Sequence, residues 1–170
     1  MEAVIACGIQ KAYFNKSGTR YLGEKAEILK VRLVSYLSSL DRKQIATFMV
    51  REVHQPDDKF YLRTKSHSLV GTPDIEIPEV FKPHIKMVIN TTRPGALYAT
   101  PLESELNKIK PSRIYIVGVE THTNVLFTAE ELRNRGYDVK AFEALMTSED
   151  DYLHALGITL LANTLSVRID

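Results

Sequence analysis

Residues 113–125 read RIYIVGVETHTNV, and this stretch decides the fold. Residues 113–119 are rich in β-branched side chains, which favour a buried strand. A helix is predicted over residues 122–135, and Gly136 follows it at the position where helices commonly end. A short apolar strand that passes directly into a helix is typical of proteins built on a parallel sheet.

The rest of the chain alternates the same two patterns. Leucines recur at helical spacing at positions 29, 33, 37 and 40, which predicts an amphipathic helix. Short apolar runs mark the strands. The predicted strands cover residues 3–9, 44–53, 85–90, 113–119, 139–142 and 165–169. The predicted helices cover residues 23–40, 101–109, 122–135 and 149–162, and Ser148 caps the last of them.

One segment, between the second and third strands, follows neither pattern. Residues 54–83 are mostly polar and contain Pro56, Pro73, Pro78 and Pro83. Loops of this length are uncommon in compact domains unless they have a function. We therefore expect this loop to carry part of a site.

These elements predict one α/β domain over residues 1–170. Its architecture would be three αβα layers around a mainly parallel, six-stranded sheet of Rossmann-like type. In such sheets ligands bind beyond the carboxyl ends of the strands, where the strand order reverses. Four segments would meet there: residues 8–13, 52–54, 90–93 and 119–124.

The composition excludes several classes of function. Lys and Arg number 22 and Asp and Glu number 21, with no dense basic run, so we expect no nucleic-acid partner. No apolar run approaches the ~20 residues of a membrane span, and residues 1–5 do not begin a signal peptide. The single cysteine, Cys7, excludes an internal disulfide and fits a reducing compartment, so we expect a cytoplasmic protein.

The isochorismatase/nicotinamidase family of cysteine hydrolases has a signature that this chain resembles at residues 117–125, 128–129 and 135–139. In that signature a strand ends in Gly, a tight turn follows, and a Cys-Val pair opens the next helix. Other segments are similar in the same order along the chain: residues 3–14, 54–58, 67–73 and 92–102. The resemblance implies the isochorismatase-like hydrolase fold, and self-association into a homo-oligomer.

The resemblance also implies a catalytic triad, in which an Asp deprotonates a Cys nucleophile beside a Lys. The matching positions of this chain hold Gly8, Thr91 and Asn124 instead. Hydrogen, hydroxyl and carboxamide cannot replace acid, amine and thiol, so the sequence argues against thiol acyl transfer. Ordinary structural roles, at a turn, a strand end and a helix start, are an alternative for all three. Cys7 cannot replace the lost thiol, because neighbours on a strand point to opposite faces.

The family's turn before the nucleophile contains a non-proline cis peptide, which here would join Val119 and Glu120. Backbone N–H groups at such a turn can hold an oxyanion. Together with Tyr13 and Arg93, these residues are the predicted pocket. The Glu120 carboxylate is expected to face a neighbouring subunit or a basic residue such as Arg93.

A metal site is the last implication of the resemblance, since nicotinamidases hold a divalent metal with one Asp and two His. Glu52, His54 and His67 match those positions, and Asp57 and Asp58 are close enough in sequence to support them. Glu52 and His54 are two residues apart, so they would share a face. One carboxylate and two imidazoles suit zinc, iron or manganese. The alternative is that these are solvated loop residues and that no cofactor is bound.

Three functional hypotheses follow. The leading one is a family member without cysteine-hydrolase activity that binds a small molecule or serves as an oligomeric scaffold. The second is a divergent, metal-assisted hydrolase of a small amide or vinyl ether. The third is an interaction protein whose pocket is vestigial.

Overall fold

The computed structural model describes residues 1–63 and 67–170. Six parallel strands form one sheet in the order β3-β2-β1-β4-β5-β6. The strands are β1 (Glu2–Cys7), β2 (Ile45–Glu52), β3 (Met87–Thr91), β4 (Ile114–Val119), β5 (Val139–Thr147) and β6 (Arg168–Ile169). The predicted α/β architecture is confirmed, and the sheet is parallel throughout.

Five α-helices flank this sheet: α1 (Lys11–Phe14), α2 (Glu24–Ser39), α3 (Leu102–Ile109), α4 (Leu126–Asn134) and α5 (Asp151–Asn163). On one face, Leu29, Leu33 and Leu37 of α2 pack against the sheet. On the other, Leu106, Leu132 and Leu161 do so from α3, α4 and α5 respectively. Each such buried leucine contributes about 1.5–3 kcal/mol through the hydrophobic effect. The sheet is therefore covered by helices on both faces.

Several boundaries differ from those predicted. β5 extends to Thr147 instead of ending at residue 142, because its register shifts opposite residues 116–118 of β4 and pairing then resumes. The helix predicted from residue 122 begins with a π-helical turn, Thr121–Val125. Asp150, not Ser148, caps α5, since its carboxylate accepts the N–H of Leu153.

In its described part, the long loop between β2 and β3 contains three short 3₁₀ helices: Tyr61–Arg63, Pro73–Ile75 and Glu79–His84. Residues 64–66, which fall in the predicted loop, lie outside the described residues. A parallel bridge between His54 and Leu69 closes the loop on itself. Its two arms therefore meet just beyond the end of β2. Within the described ranges, no helix has the length and apolar character needed to cross a membrane.

Candidate functional site

A cleft of about 610 Å³ opens beyond the carboxyl ends of the central strands. Aromatic rings form much of its wall, and charged side chains are spaced between them. The lining residues are Tyr13, Arg20, Glu52, Phe60, His67, Arg93, Pro94, Gly95, Tyr98, Glu120, Thr123, Asn124, Phe127, Glu130 and Glu131. Its position is the one that the reversal of strand order predicts, between β1 and β4.

A buried polar cluster of Glu52, His54 and His67 lies at this cleft. Glu52 is the last residue of β2, and the two imidazoles come from opposite arms of the loop. Oε2 of Glu52 lies 2.8 Å from Nε2 of His54 and 3.7 Å from Nε2 of His67. None of the three residues is more than 8% exposed. They are therefore not solvated loop residues, and Glu52 and His67 also line the cleft.

Gln10 and Ser68 hold the cluster in place. Oε1 of Gln10 accepts the backbone N–H of Glu52 at 2.7 Å, while its Nε2 donates to Oγ of Ser68 at 2.6 Å. The same Ser68 oxygen lies 2.6 Å from Nδ1 of His67. These contacts fix the ring of His67 and turn its Nε2 toward Glu52. Sequence reasoning did not assign this supporting role, because no local pattern relates residue 10 to residue 68.

Electrostatics favour the metal-binding protonation states of Glu52 and His67. Burial by itself raises the pKa of Glu52, but hydrogen bonds from His54 and Asn124 and the nearby His67 together hold that pKa below its usual value. Burial lowers the pKa of His67. An ionised carboxylate beside a neutral imidazole is the form in which both groups bind metal ions.

The cluster fits a divalent metal ion. One ligand atom from each of Glu52, His54 and His67 lies within 4.8 Å of the others. Nδ1 of His54 is buried and has no hydrogen-bond partner among the described residues. A buried polar atom of this kind is rare unless an ion, a water or a ligand satisfies it. Asp57 is exposed, and Asp58 pairs with Arg93 at 2.8 Å, so neither carboxylate contacts the cluster.

Asn124, which the resemblance matched to the family's nucleophile, lies in the π-helical turn after β4. Its Nδ2 donates to Oε1 of Glu52 at 2.7 Å, and only 5% of the residue is exposed. The carboxamide therefore connects the helix start to the carboxylate cluster. It is a hydrogen-bond donor to Glu52 and has no nucleophilic atom.

Gly8 and Thr91, which the resemblance matched to the other two triad positions, are not among the described residues that line the cleft. Gly8 has a φ of +64°, and a Cβ there would lie 2.2 Å from the carbonyl oxygen of Val119. Oγ1 of Thr91 lies 2.8 Å from the Arg93 carbonyl oxygen and accepts the Arg93 N–H at 3.1 Å. Both residues therefore shape the local backbone, at positions where the sequence analysis predicted part of the pocket.

Cys7 is fully buried, as predicted. Its Sγ lies 3.7 Å from Oγ1 of Thr128, within the core between the sheet and α4. Burial raises the pKa of this thiol to about 12. A thiol with so high a pKa carries almost no thiolate near neutral pH, so it is a poor nucleophile.

Glu120 faces a basic residue, as one of the two expectations had it, but that residue is Arg20 and not Arg93. The two side chains meet at 3.0 Å, both nearly buried, and Arg20 also reaches Glu149 at 3.3 Å. The peptide bond between Val119 and Glu120 is cis, as the resemblance implies. Arg20 was missed because it lies in the connection between α1 and α2, which carries no motif.

Comparison with known proteins places the chain in a family. A model of the isochorismatase domain matches residues 2–170, so the chain belongs to the isochorismatase family. No curated protein matches it. Solved structures that share the fold include the pyrazinamidase/nicotinamidase of Streptococcus mutans, 18% identical with a TM-score of 0.89 over 100% of both chains.

Two further structures are similar. The nicotinamidase of Bacillus subtilis is 21% identical, with a TM-score of 0.88 over 99% of this chain and 98% of that one. The N-carbamoylsarcosine amidase of Thermoplasma acidophilum is 16% identical, with a TM-score of 0.88 over 100% of this chain and 96% of that one. At these identities the likeness establishes the fold alone.

Proposed function

We propose that this family member binds a small molecule in its cleft and does not hydrolyse it through a thiol. One observation carries the proposal. The carboxamide of Asn124 stands at the helix start, hydrogen-bonded to Glu52, while the only thiol is sealed in the core beside Thr128. Without a thiol at the cleft, the acyl-enzyme route of cysteine hydrolases has no nucleophile.

The cleft itself supports binding. Its volume of about 610 Å³ lies in the range usual for small-molecule sites, and its mixture of aromatic walls with a few polar groups is also usual. Polar side chains such as Glu52 and Asn124 are already fixed by hydrogen bonds to each other. A ligand would therefore meet a preformed site.

A thermal-shift screen with nicotinamide, related amides and small carboxylates tests binding. A ligand that binds only the folded state raises the melting temperature. The shift is expected to disappear in Tyr98→Ala, because Tyr98 lines the cleft, and to persist in Tyr152→Ala, whose ring is exposed on α5 away from it. Equal shifts in both variants would place binding elsewhere.

Activity assays test the second half of the proposal. We expect no turnover of nicotinamide or isochorismate that depends on a thiol. Turnover by the unmodified chain that iodoacetamide abolishes would contradict the proposal directly.

A metal-assisted hydrolase of a small amide or vinyl ether is the second candidate, favoured by the convergence of Glu52, His54 and His67. These three residues would hold the ion. A divalent metal bound there supplies a Lewis acid and lowers the pKa of coordinated water. Ser68 and Asn124 would orient the ligands, since each contacts one of them.

Elemental analysis of the purified chain tests this candidate. We expect stoichiometric zinc, iron or manganese, lost in His67→Gln and retained in the control His84→Gln, because His84 lies outside the cluster. Hydrolysis by the metal-loaded chain that is insensitive to iodoacetamide would favour this candidate over simple binding. Metal retained in full by His67→Gln would contradict it.

We also propose, from the family resemblance, that the chain forms a homo-oligomer, and light scattering on the purified protein measures this. A cytoplasmic location stays a prediction from the single cysteine.

A further inference from the structure

One face of α4 carries a ring and two carboxylates into the cleft. Phe127, Glu130 and Glu131 are spaced i, i+3 and i+4, so they share a face of the helix, and all three line the cleft. Phe127 is 48% exposed, although it is a large apolar side chain. An exposed aromatic ring beside two carboxylates offers a ligand a surface for packing and acceptors for hydrogen bonds.

Neither carboxylate has a cationic partner in the described part of the chain. Oε2 of Glu131 accepts the backbone N–H of Leu97 at 2.8 Å, and Glu130 accepts a hydrogen bond from the carboxamide of Asn134. Both donors are neutral. Arg135 acts on both carboxylates through space, but its guanidinium is paired with Glu103, so neither Glu130 nor Glu131 has a salt bridge among the described residues. Burial also raises the pKa of Glu131, which reflects the cost of holding its charge there.

The described cationic side chains that line the cleft already form salt bridges. Arg20 is paired with Glu120 and Glu149, and Arg93 with Asp58. Among the described residues, the lining contains these two arginines and four carboxylates, which belong to Glu52, Glu120, Glu130 and Glu131. The surplus negative charge therefore lies on the α4 face, on the same cleft wall as exposed aromatic rings.

We propose that the ligand of the cleft is a planar aromatic cation of the aryl amidine class. Its positive group would pair with Glu130 and Glu131, and its ring would pack on Phe127 and Tyr98. A cation near aromatic faces is further stabilised by the negative π-surface of the rings. This inference rests on the proposed function, because it assumes that the cleft binds a small molecule.

Calorimetric titration of the purified chain with benzamidine, benzamide and benzoate tests the inference. The three probes have nearly the same shape and are cationic, neutral and anionic at pH 7. We expect benzamidine to bind most tightly, with an affinity that falls as salt is raised. The double variant Glu130→Gln/Glu131→Gln is expected to weaken benzamidine about five- to tenfold while leaving benzamide unchanged.

A matched double variant, Glu24→Gln/Glu79→Gln, controls for the change in net charge, because both carboxylates are exposed and lie outside the cleft lining. It should leave benzamidine binding unchanged. Glu130→Gln alone serves if the double variant does not fold, since Glu130 makes no backbone hydrogen bond of the kind that Glu131 makes with Leu97 in the described part of the chain.

Each outcome of these titrations supports or contradicts the inference. If benzamide or benzoate binds as tightly as benzamidine, or if the α4 variant binds benzamidine normally, the charge preference is wrong while the proposed function stands. If none of the three probes binds, the ligand class is also wrong. The proposed function fails separately, when the wider thermal-shift screen finds no cleft ligand either.

Discussion

Nδ2 of Asn124 donates a hydrogen bond to Oε1 of Glu52 at 2.7 Å across the base of the cleft. The sequence resemblance matches these two residues to the family's nucleophile and to one of its metal ligands, and both differ from the residue types that the resemblance implies. Glu is one methylene longer than Asp, so it reaches further into the cleft. One hydrogen bond thus joins Asn124 to Oε1 of Glu52, while Oε2 of Glu52 contacts the histidines.

This contact predicts a large effect for one substitution. Asn124→Ala removes a donor from a buried carboxylate and should lower the free energy of unfolding by about 2 kcal/mol, as expected for a hydrogen bond to a charged group. Urea denaturation measures the change. Asn134→Ala is the matched control, because its carboxamide contacts Glu130 at an exposed site and should cost less than about 0.5 kcal/mol.

A double-mutant cycle extends this test. Combining Asn124→Ala with Glu52→Gln should give a coupling energy of about 1–2 kcal/mol, because the two side chains act on each other directly. Additive effects of the two substitutions would show that the contact contributes little to stability.

Most of the fold could be predicted because the strands are short, apolar and separated by helices. The exceptions have local causes. Residues 143–144 are exposed, so the apolar run that marks β5 stops at Phe142, yet pairing resumes after the register shift against β4. β6 was predicted over residues 165–169, but only Arg168–Ile169 pair, because the strand is at the sheet edge and has one neighbour.

The candidate site was less predictable. Glu52 and His54 could be placed together because they are two residues apart at a strand end. His67 was predicted as a metal ligand only from the family resemblance. Long-range pairs could not be predicted from local sequence patterns. Arg20 and Glu120, for example, are separated by 100 positions, and only the tertiary fold brings them together. The orientation of the Thr91 hydroxyl likewise depends on its hydrogen bonds with the backbone of residues 93–95.

The backbone at Gly8 predicts that an acidic side chain cannot simply be introduced at this position. Its φ of +64° is unfavourable for any side chain, and a Cβ would collide with the Val119 carbonyl. Gly8→Ala should therefore lower the free energy of unfolding by more than about 4 kcal/mol or prevent folding, and Gly8→Asp should behave likewise.

Gly136→Ala provides the comparison for this prediction. Its φ of +81° is similar, but among the described residues no atom lies within 4 Å of the position that a Cβ would take. Only the left-handed backbone therefore costs free energy there, about 1–2 kcal/mol. Urea denaturation of both variants checks the difference. Equal losses would mean that the backbone at Gly8 relaxes easily, and that an Asp is tolerated there.

Cys7 should resist alkylation in the folded protein. Its pKa of about 12 and complete burial leave neither thiolate nor access at pH 8. Mass spectrometry after treatment with iodoacetamide should find the native chain unmodified and the urea-unfolded chain fully modified. Modification faster than global unfolding would indicate that the core beside Thr128 opens locally.

His154 predicts a loss of stability in mild acid. Burial lowers the pKa of this half-buried imidazole below its usual value, and its Nδ1 lies 2.8 Å from Oγ1 of Thr121. Below pH 6.5 the unfolded chain therefore binds a proton more readily at this residue than the folded chain does. Its contribution to stability is complete above pH 6.5 and is lost as the pH falls through the depressed pKa of the folded state. The free energy of unfolding should drop between pH 7 and pH 5, and His154→Gln should drop less, because its carboxamide can keep the contact with Thr121 without titrating. Identical pH profiles for the two proteins would assign the acid sensitivity to other groups.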